Sequence, residues 1–158
     1  MNTADPYSNK VRVRSCGLII LDHQVLLVKQ NVPTRDYPVW IPPGGGVKPG
    51  ESAAEALIRE CREETGIVPS GLRLRYIHEF IKNPYHAVEL YFLADSVTGE
   101  LMKGSDPEHP QNEQLIHEVS LKPVDELIKL KVVPEFLVEE LVSERYLKNQ
   151  ISYFKSDQ

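Results

Sequence analysis

The stretch from Gly44 to Ile67 constrains this chain more than any other, because it joins three consecutive glycines to a short helix crowded with carboxylates. Ser52 followed three positions later by Glu55 is a capping box, and Glu51 adds negative charge at the positive end of the helix. Gly66 supplies the left-handed stop after Thr65. On a helical wheel Ala54, Leu57, Ile58, Cys61 and Thr65 gather on one face, which suits packing on a sheet. Glu60, Glu63 and Glu64 fall beside that face, since residues three and four apart are neighbours. Like charges so placed repel by a few tenths of a kcal/mol per pair, roughly, and a cation would remove that penalty. Hard divalent cations bind through one or two carboxylates plus substrate phosphates. A glycine turn that exposes backbone opposite such a helix therefore predicts cleavage of a phosphoanhydride. A solvated acidic helix would explain the glutamates alone, but not the glycine run before them.

The same residues carry a resemblance. Gly45, Glu51, Arg59, Glu60, Glu63, Glu64 and Gly66 stand at the spacing of the Nudix box, so the segment 45–67 resembles that of the Nudix hydrolases. Cys61 departs from the pattern, standing where the family usually has a bulky aliphatic residue; a buried free Cys packs as a small hydrophobe. The resemblance implies an α/β/α sandwich, with a mixed sheet and the box helix packed on it. It also implies magnesium, or else manganese, held by Glu60 and Glu64, with Glu63 ligating directly or through water and the Gly44 carbonyl completing the site. Arg59 and Glu51 would pair to orient the helix and hold Glu60. The general base in this family is a box glutamate or an acid from a later loop, which makes Glu113 a candidate, then Glu118, with Asp106 and Glu108 weaker.

Composition sets the outer bounds. At 158 residues, with 41% hydrophobic and 26% charged side chains, the chain makes one ordinary domain with a real core. A net charge of −5 without a basic run gives no support to nucleic-acid or acidic-membrane binding. The apolar stretches are too short to span a bilayer, and the polar start lacks a signal-peptide core. Cys16 and Cys61 have no partner at metal-binding spacing and read as reduced core residues of a cytoplasmic protein.

Along the chain, residues 1–10 read as a flexible segment, 11–150 as the single domain and 151–158 as a tail. Residues 11–21 and 25–29 predict two strands around a turn at Asp22-His23. Pro33, Asp36 and Pro38 make a loop, and 39–43 a short extended piece before the glycine turn. Pro69-Ser70-Gly71 breaks the chain after the helix. Strands follow at 72–81 and 87–94, joined at Asn83-Pro84; 99–113 reads as a mobile loop and 114–119 as a strand. Residues 124–131 and 135–149 predict amphipathic helices separated by Pro134. Strands interleaved with helices in this order predict a mixed α/β layering.

For substrate contacts the sequence offers Tyr37, Trp40 and Tyr85, with Phe80 and His86, as stacking or polar aromatics. Gly45 offers backbone, and Arg14, with Arg12 and Lys29, meets phosphates. Each aromatic also fits a plain packing role, Trp40 bracing the Pro-Pro-Gly-Gly-Gly run above all, and exposed strand cations also serve to blunt sheet edges. Downstream, Pro84 and Tyr85 are adjacent, matching hints for both the ADP-ribose and the dinucleoside-polyphosphate subgroups; the upstream coenzyme A signature is missing. The resulting expectation is a metal-dependent hydrolase of a small nucleotide, with ADP-ribose or a nucleotide sugar ahead of nucleoside triphosphates and dinucleoside polyphosphates. A silent nucleotide-binding sensor is the alternative of another class, and the four box glutamates speak against it. The resemblance also implies a homodimer.

Overall fold

A carboxylate-bearing helix needs a rigid surface behind it, and two sheets provide one. The computed structural model describes residues 5–104, 107 and 115–157. The strands are β1 (Lys10–Leu18), β2 (Ile20–Leu21), β3 (Gln24–Gln30), β4 (Val39–Ile41), β5 (Gly44–Gly46), β6 (Ile67–Ser70), β7 (Arg73–Lys82), β8 (Tyr85–Leu93), β9 (Ser96–Gly99), β10 (Ile116–Pro123) and β11 (Ser152–Ser156). The α-helices are α1 (Ala53–Thr65) and α2 (Phe136–Val142). One sheet runs β11-β7-β8-β1-β5, with β1 parallel to β8 and β11 parallel to β7. A second runs β10-β3-β2, with β4 also on β3, and β6 pairs β9 separately.

Alternation divides the core into two layers. From β3, Val25 and Leu27 join Cys16, Tyr76, Tyr91, Leu137 and Leu141 on the α2 side. Leu26 points the other way, to Ile19, Leu57, Cys61 and Ile67 beside α1. That is why β3 reads as an unbroken apolar run: both of its faces are covered. Helices on both sides of a mixed sheet and its antiparallel neighbour make an α/β/α sandwich, as expected. No helix among the described residues is long and apolar enough to cross a membrane.

Several boundaries differ from the sequence reading. The glycine run is not a turn but β5, a sheet-edge strand antiparallel to β1, with Cys16 opposite Gly44 and Arg14 opposite Gly46. Pro69 and Ser70 belong to β6 rather than to a break. Residues 124–129 wind as a 3₁₀ helix. The last predicted helix stops at Val142; Glu144 turns left-handed at φ 57°, and Arg145–Leu147 form a 3₁₀ turn. Residues 5–9, read as flexible, form a turn held by Asn9 N–H to the Pro84 carbonyl at 2.8 Å and by the Tyr85 hydroxyl donating to Asp5.

The largest correction is at the C-terminus, where the expected tail is strand β11, with Phe154 stacked on Phe136 at 4.2 Å between ring centres. Arg75 explains how the chain gets there. Its guanidinium, only 3% exposed, donates Nε to the Tyr146 carbonyl at 2.8 Å and Nη1 to the Gln150 carbonyl. These two carbonyls flank the reversal that lays β11 beside β7, a long-range clamp that local helix periodicity cannot reveal. Replacing Arg75 by Ala strands the buried Tyr146 carbonyl, so urea denaturation should show a loss of about 1–3 kcal/mol. A loss below about 1 kcal/mol would mean that β11 docks without the clamp.

Candidate active site

Helix α1 begins and ends as its sequence demands. The Glu55 N–H donates to Ser52 Oγ at 3.1 Å, the Ser52 N–H donates to the Glu55 carboxylate at 2.7 Å, and Gly66 closes the helix at φ 75°. Its buried set is Ala56, Leu57, Cys61, Glu64 and Thr65, so the inward face is turned from the expected one toward Glu64, leaving Ala54 and Ile58 half-buried. The cause is a polar tether: the Gly44 N–H donates to Glu64 Oε2 at 3.1 Å, joining α1 to the edge strand β5. Gly45 must be glycine for the same reason. A Cβ there would lie 2.5 Å from Glu60 Cδ, so the carboxylate rests directly on bare backbone.

Arg59 organises the remaining carboxylates. Nε and Nη2 grip Glu51 at 3.1 and 2.7 Å, and Nη2 also reaches the Gly46 carbonyl at 3.1 Å. Nη1 donates to Glu60 at 2.7 Å and lies 3.5 Å from Glu63. The self-repulsion expected of the glutamates is thus partly relieved by a cation that the chain carries itself. The Arg59 pairing, with the Lys48 N–H behind it, holds the Glu51 carboxyl down to about 2. Burial pushes the Cys61 thiol up to about 11 and the Cys16 thiol up to about 12, in keeping with two unreactive, unpaired core cysteines.

Glu60 and Glu64 stand at one end of a cavity of about 290 Å³. Its floor is the α2-side face of the five-stranded sheet, where Arg12, Arg14, Glu89, His78 and Phe80 line it, and Phe136 and Phe154 close the far end. Of the predicted substrate residues, Arg14, Gly45, Tyr85, Arg12, Phe80 and His86 line this cavity. Trp40 does not: it is 6% exposed in the core, with Lys122 Nζ 4.5 Å from its ring centre. Nor does Tyr37, whose ring sits under Lys131 Nζ at 3.9 Å on a separate concavity. Lys29 is likewise absent from the lining; its Nζ lies 5.8 Å from the Trp40 ring centre. Glu118 sits on β10 outside the cavity, 3.5 Å from Lys122 Nζ. Glu113, Asp106 and Glu108 lie outside the described residues.

On the floor the sequence reading named Arg12, Arg14 and Phe80 but missed Glu89, His78 and Ser156. Glu89 accepts from Arg14 Nη1 on one oxygen, and its other oxygen is 2.8 Å from His78 Nδ1; His78 Nε2 is 2.7 Å from Ser156 Oγ. Burial raises the Glu89 carboxyl, but Arg14 and His78 outweigh it and keep the group below its ordinary value. A carboxylate in the otherwise apolar run Ala87–Leu93 was the available signal. Nothing local marked Ser156.

Among the described residues, no three Asp, Glu, His or Cys side chains converge to cage an ion unaided. The donors facing the cavity mouth are nonetheless hard carboxylate oxygens of Glu60 and Glu64. Two carboxylates completed by substrate phosphates suit magnesium or manganese better than an all-protein cage does. Such an ion would compete with Arg59 for Glu60.

The depressed Glu51 carboxyl makes the Arg59 anchor pH-dependent. Its stabilisation is complete above about pH 4.5 and is lost as pH falls through about 2. Thermal melts of wild type and Glu51→Gln should therefore differ at neutral pH and converge as pH drops from 4.5 toward 2. A gap that persists undiminished to pH 2 would place the anchor's contribution elsewhere than in this ion pair.

Comparison with known proteins accords with this geometry. The family model described as NUDIX domain matches residues 11–138. An uncharacterized Nudix hydrolase, YvcI, of Bacillus subtilis is 38% identical over 100 residues, covering 60% of this chain and 60% of that protein. The ADP-ribose pyrophosphatase of Methanocaldococcus jannaschii is 36% identical over 93 residues, covering 57% of this chain and 54% of the relative. The matches thus span little more than half the length of these relatives. The crystal structure of a MutT NUDIX hydrolase from Burkholderia pseudomallei superposes with a TM-score of 0.70 at 26% identity, over 84% of this chain and 98% of that one. A box helix tethered to a glycine edge strand, in a sandwich matched over most of its length, makes this chain a member of the Nudix family.

Proposed function

We propose that the protein is a metal-dependent pyrophosphohydrolase that cleaves the phosphoanhydride of a nucleoside diphosphate linked to a second moiety, ADP-ribose or a nucleotide sugar, giving a nucleoside monophosphate and a phosphorylated product. The observation that carries this reading is a single cavity with Glu60 and Glu64 at one end and aromatic rings at the other. A diphosphate belongs at the first end and an organic group at the second. The similarity to a relative named ADP-ribose pyrophosphatase supports the substrate class.

Magnesium or manganese, when bound, neutralises charge on the bridging and terminal oxygens and lowers the pKa of water. Glu60 and Glu64 would hold it, with Glu63 and the Gly44 carbonyl as further oxygen donors. Gly45, without a side chain, lets Glu60 lie against β5 and leaves the mouth of the cavity open to phosphate. Arg59 is a positioning residue: by gripping Glu51 and Gly46 it fixes α1 and presents the Glu60 carboxylate. Arg12 and Arg35, which also line the cavity, add positive charge along the phosphate path. Among the described residues, removal of the proton from water falls to a box carboxylate, because Glu118 lies outside the cavity and both oxygens of Glu89 are engaged; Glu113, outside the described residues, is the other candidate.

A panel of ADP-ribose, nucleotide sugars, nucleoside triphosphates and dinucleoside polyphosphates, assayed with magnesium and then manganese, tests the reading directly. The expected result is turnover of ADP-ribose or a nucleotide sugar to a monophosphate; pyrophosphate release from triphosphates would move the substrate assignment. Glu60→Gln and Glu64→Gln should each lower kcat by about 10²-fold or more with unchanged circular dichroism, since the amide oxygen can keep the Gly44 tether. Near-normal rates in both would sink the site. Arg59→Ala should cost about 10–100-fold, the range for a residue that orients a metal ligand.

A further inference from the structure

One row of side chains on the cavity floor has a property that the mouth lacks: its arginine is answered directly by a carboxylate. We propose that the side-chain row Arg14–Glu89–His78–Ser156 recognises the nucleobase of the substrate, an uncharged ring, rather than a second phosphate or sugar phosphate. This inference rests on the nucleotide reading above and names the part of the substrate that lies away from the reacting phosphates.

Sheet register builds the row. Arg14 pairs with Glu89 across β1 and β8, and Glu89 with His78 across β8 and β7, so the three side chains stand in line on one face. Ser156 on β11 completes it from the next row. The row is mostly removed from water, His78 being 2% and Glu89 6% exposed, so each polar atom in it needs a partner. An ionised Glu89 can only accept, hence His78 donates from Nδ1, and in that tautomer Nε2 accepts a hydrogen bond from the Ser156 hydroxyl. The lone pairs of Ser156 are then left as acceptors on the cavity side. Arg14 gives one N–H to Glu89, and among the described residues its other N–H groups have no acceptor; they are the donors of the same floor.

An anion placed here gains little, because Glu89 balances Arg14, and it would lose its hydration. A neutral ring with both acceptors and donors at its edge gains hydrogen bonds without that cost. The surroundings suit a ring as well: Phe80 lines the floor beside Ser156, and the stacked Phe136 and Phe154 close the end. Aromatic stacking of a base is worth roughly 1–3 kcal/mol and is indifferent to charge. The order Ser156, His78, Glu89 is also that of a nucleophilic triad, but Arg14 on Glu89 takes up the negative charge that would have to support an imidazolium. Recognition is the role the geometry favours.

The test is binding of phosphate-free probes with the metal chelated, so that it is independent of turnover. Adenosine, guanosine, cytidine and uridine would be titrated against free ribose, with affinities read from protein amide shifts in NMR. At least one nucleoside should bind about tenfold or more tightly than ribose, with affinity insensitive to salt. Ser156→Ala, a mild change at a half-buried site, and Arg14→Lys, which keeps charge but loses the fork, should each cut that preference by about threefold to tenfold. A purely structural role would weaken ribose and nucleoside together. Nucleosides binding no better than ribose, no binding by either, or a preference untouched in both variants would overturn the inference. Failure of the hydrolase reading would show separately, in the substrate panel.

Discussion

Everything at the glutamate end of the cavity depends on one guanidinium. Arg59 joins a loop carboxylate, an edge-strand carbonyl and two helix carboxylates, which are four groups from three parts of the chain. Isolated surface ion pairs contribute little. A fork gripping Glu51 with two bonds while also donating to backbone is different, because it fixes geometry rather than adding attraction alone. Without it, α1 would still be capped and its apolar side still buried, but Glu60 would have no reason to lie flat on Gly45. The helix forms from local signals; its orientation on the sheet is set by this contact and by the Glu64 tether to Gly44.

That division explains how far the sequence could be read. The capping box, the Gly66 stop, the sandwich class and the partners of Arg59 are encoded within a short stretch, where spacing translates directly into geometry. The glycine run was read correctly as a place of close approach and wrongly as a turn, because a strand of three glycines has no side-chain alternation to announce it. Trp40 and Tyr37 illustrate the limit for aromatics. A ring before a glycine run looks the same in sequence whether it faces a ligand or the core, and here long lysines cover both rings from outside.

The C-terminal third was the least legible, for a physical reason. The pattern after Phe136 continues as an amphipathic helix in local terms, yet Arg75, about seventy residues earlier in the chain, captures the carbonyls that reverse it. A five-residue strand added parallel to β7 has almost no local signature, and its pairing is specified by the ladder it joins. Ser156 and Phe154 therefore enter the cavity from a segment whose composition suggests only a tail.

The two ends of the cavity consequently differ in how they are built. The glutamate end is assembled almost wholly from α1 and β5, so residues that must keep sub-ångström relations are close in sequence and held by mutual hydrogen bonds. The floor and far end draw on β1, β7, β8, α2 and β11, five elements scattered along the chain. Among the described residues, Ser156 and Phe154 make no direct hydrogen bond to Arg59 or Glu60, so the two ends are joined through the sheet. The two ends are thus mechanically separable, with Arg14 as the bridge: its backbone pairs with Gly46 beneath the box, while its side chain is committed to Glu89 on the floor.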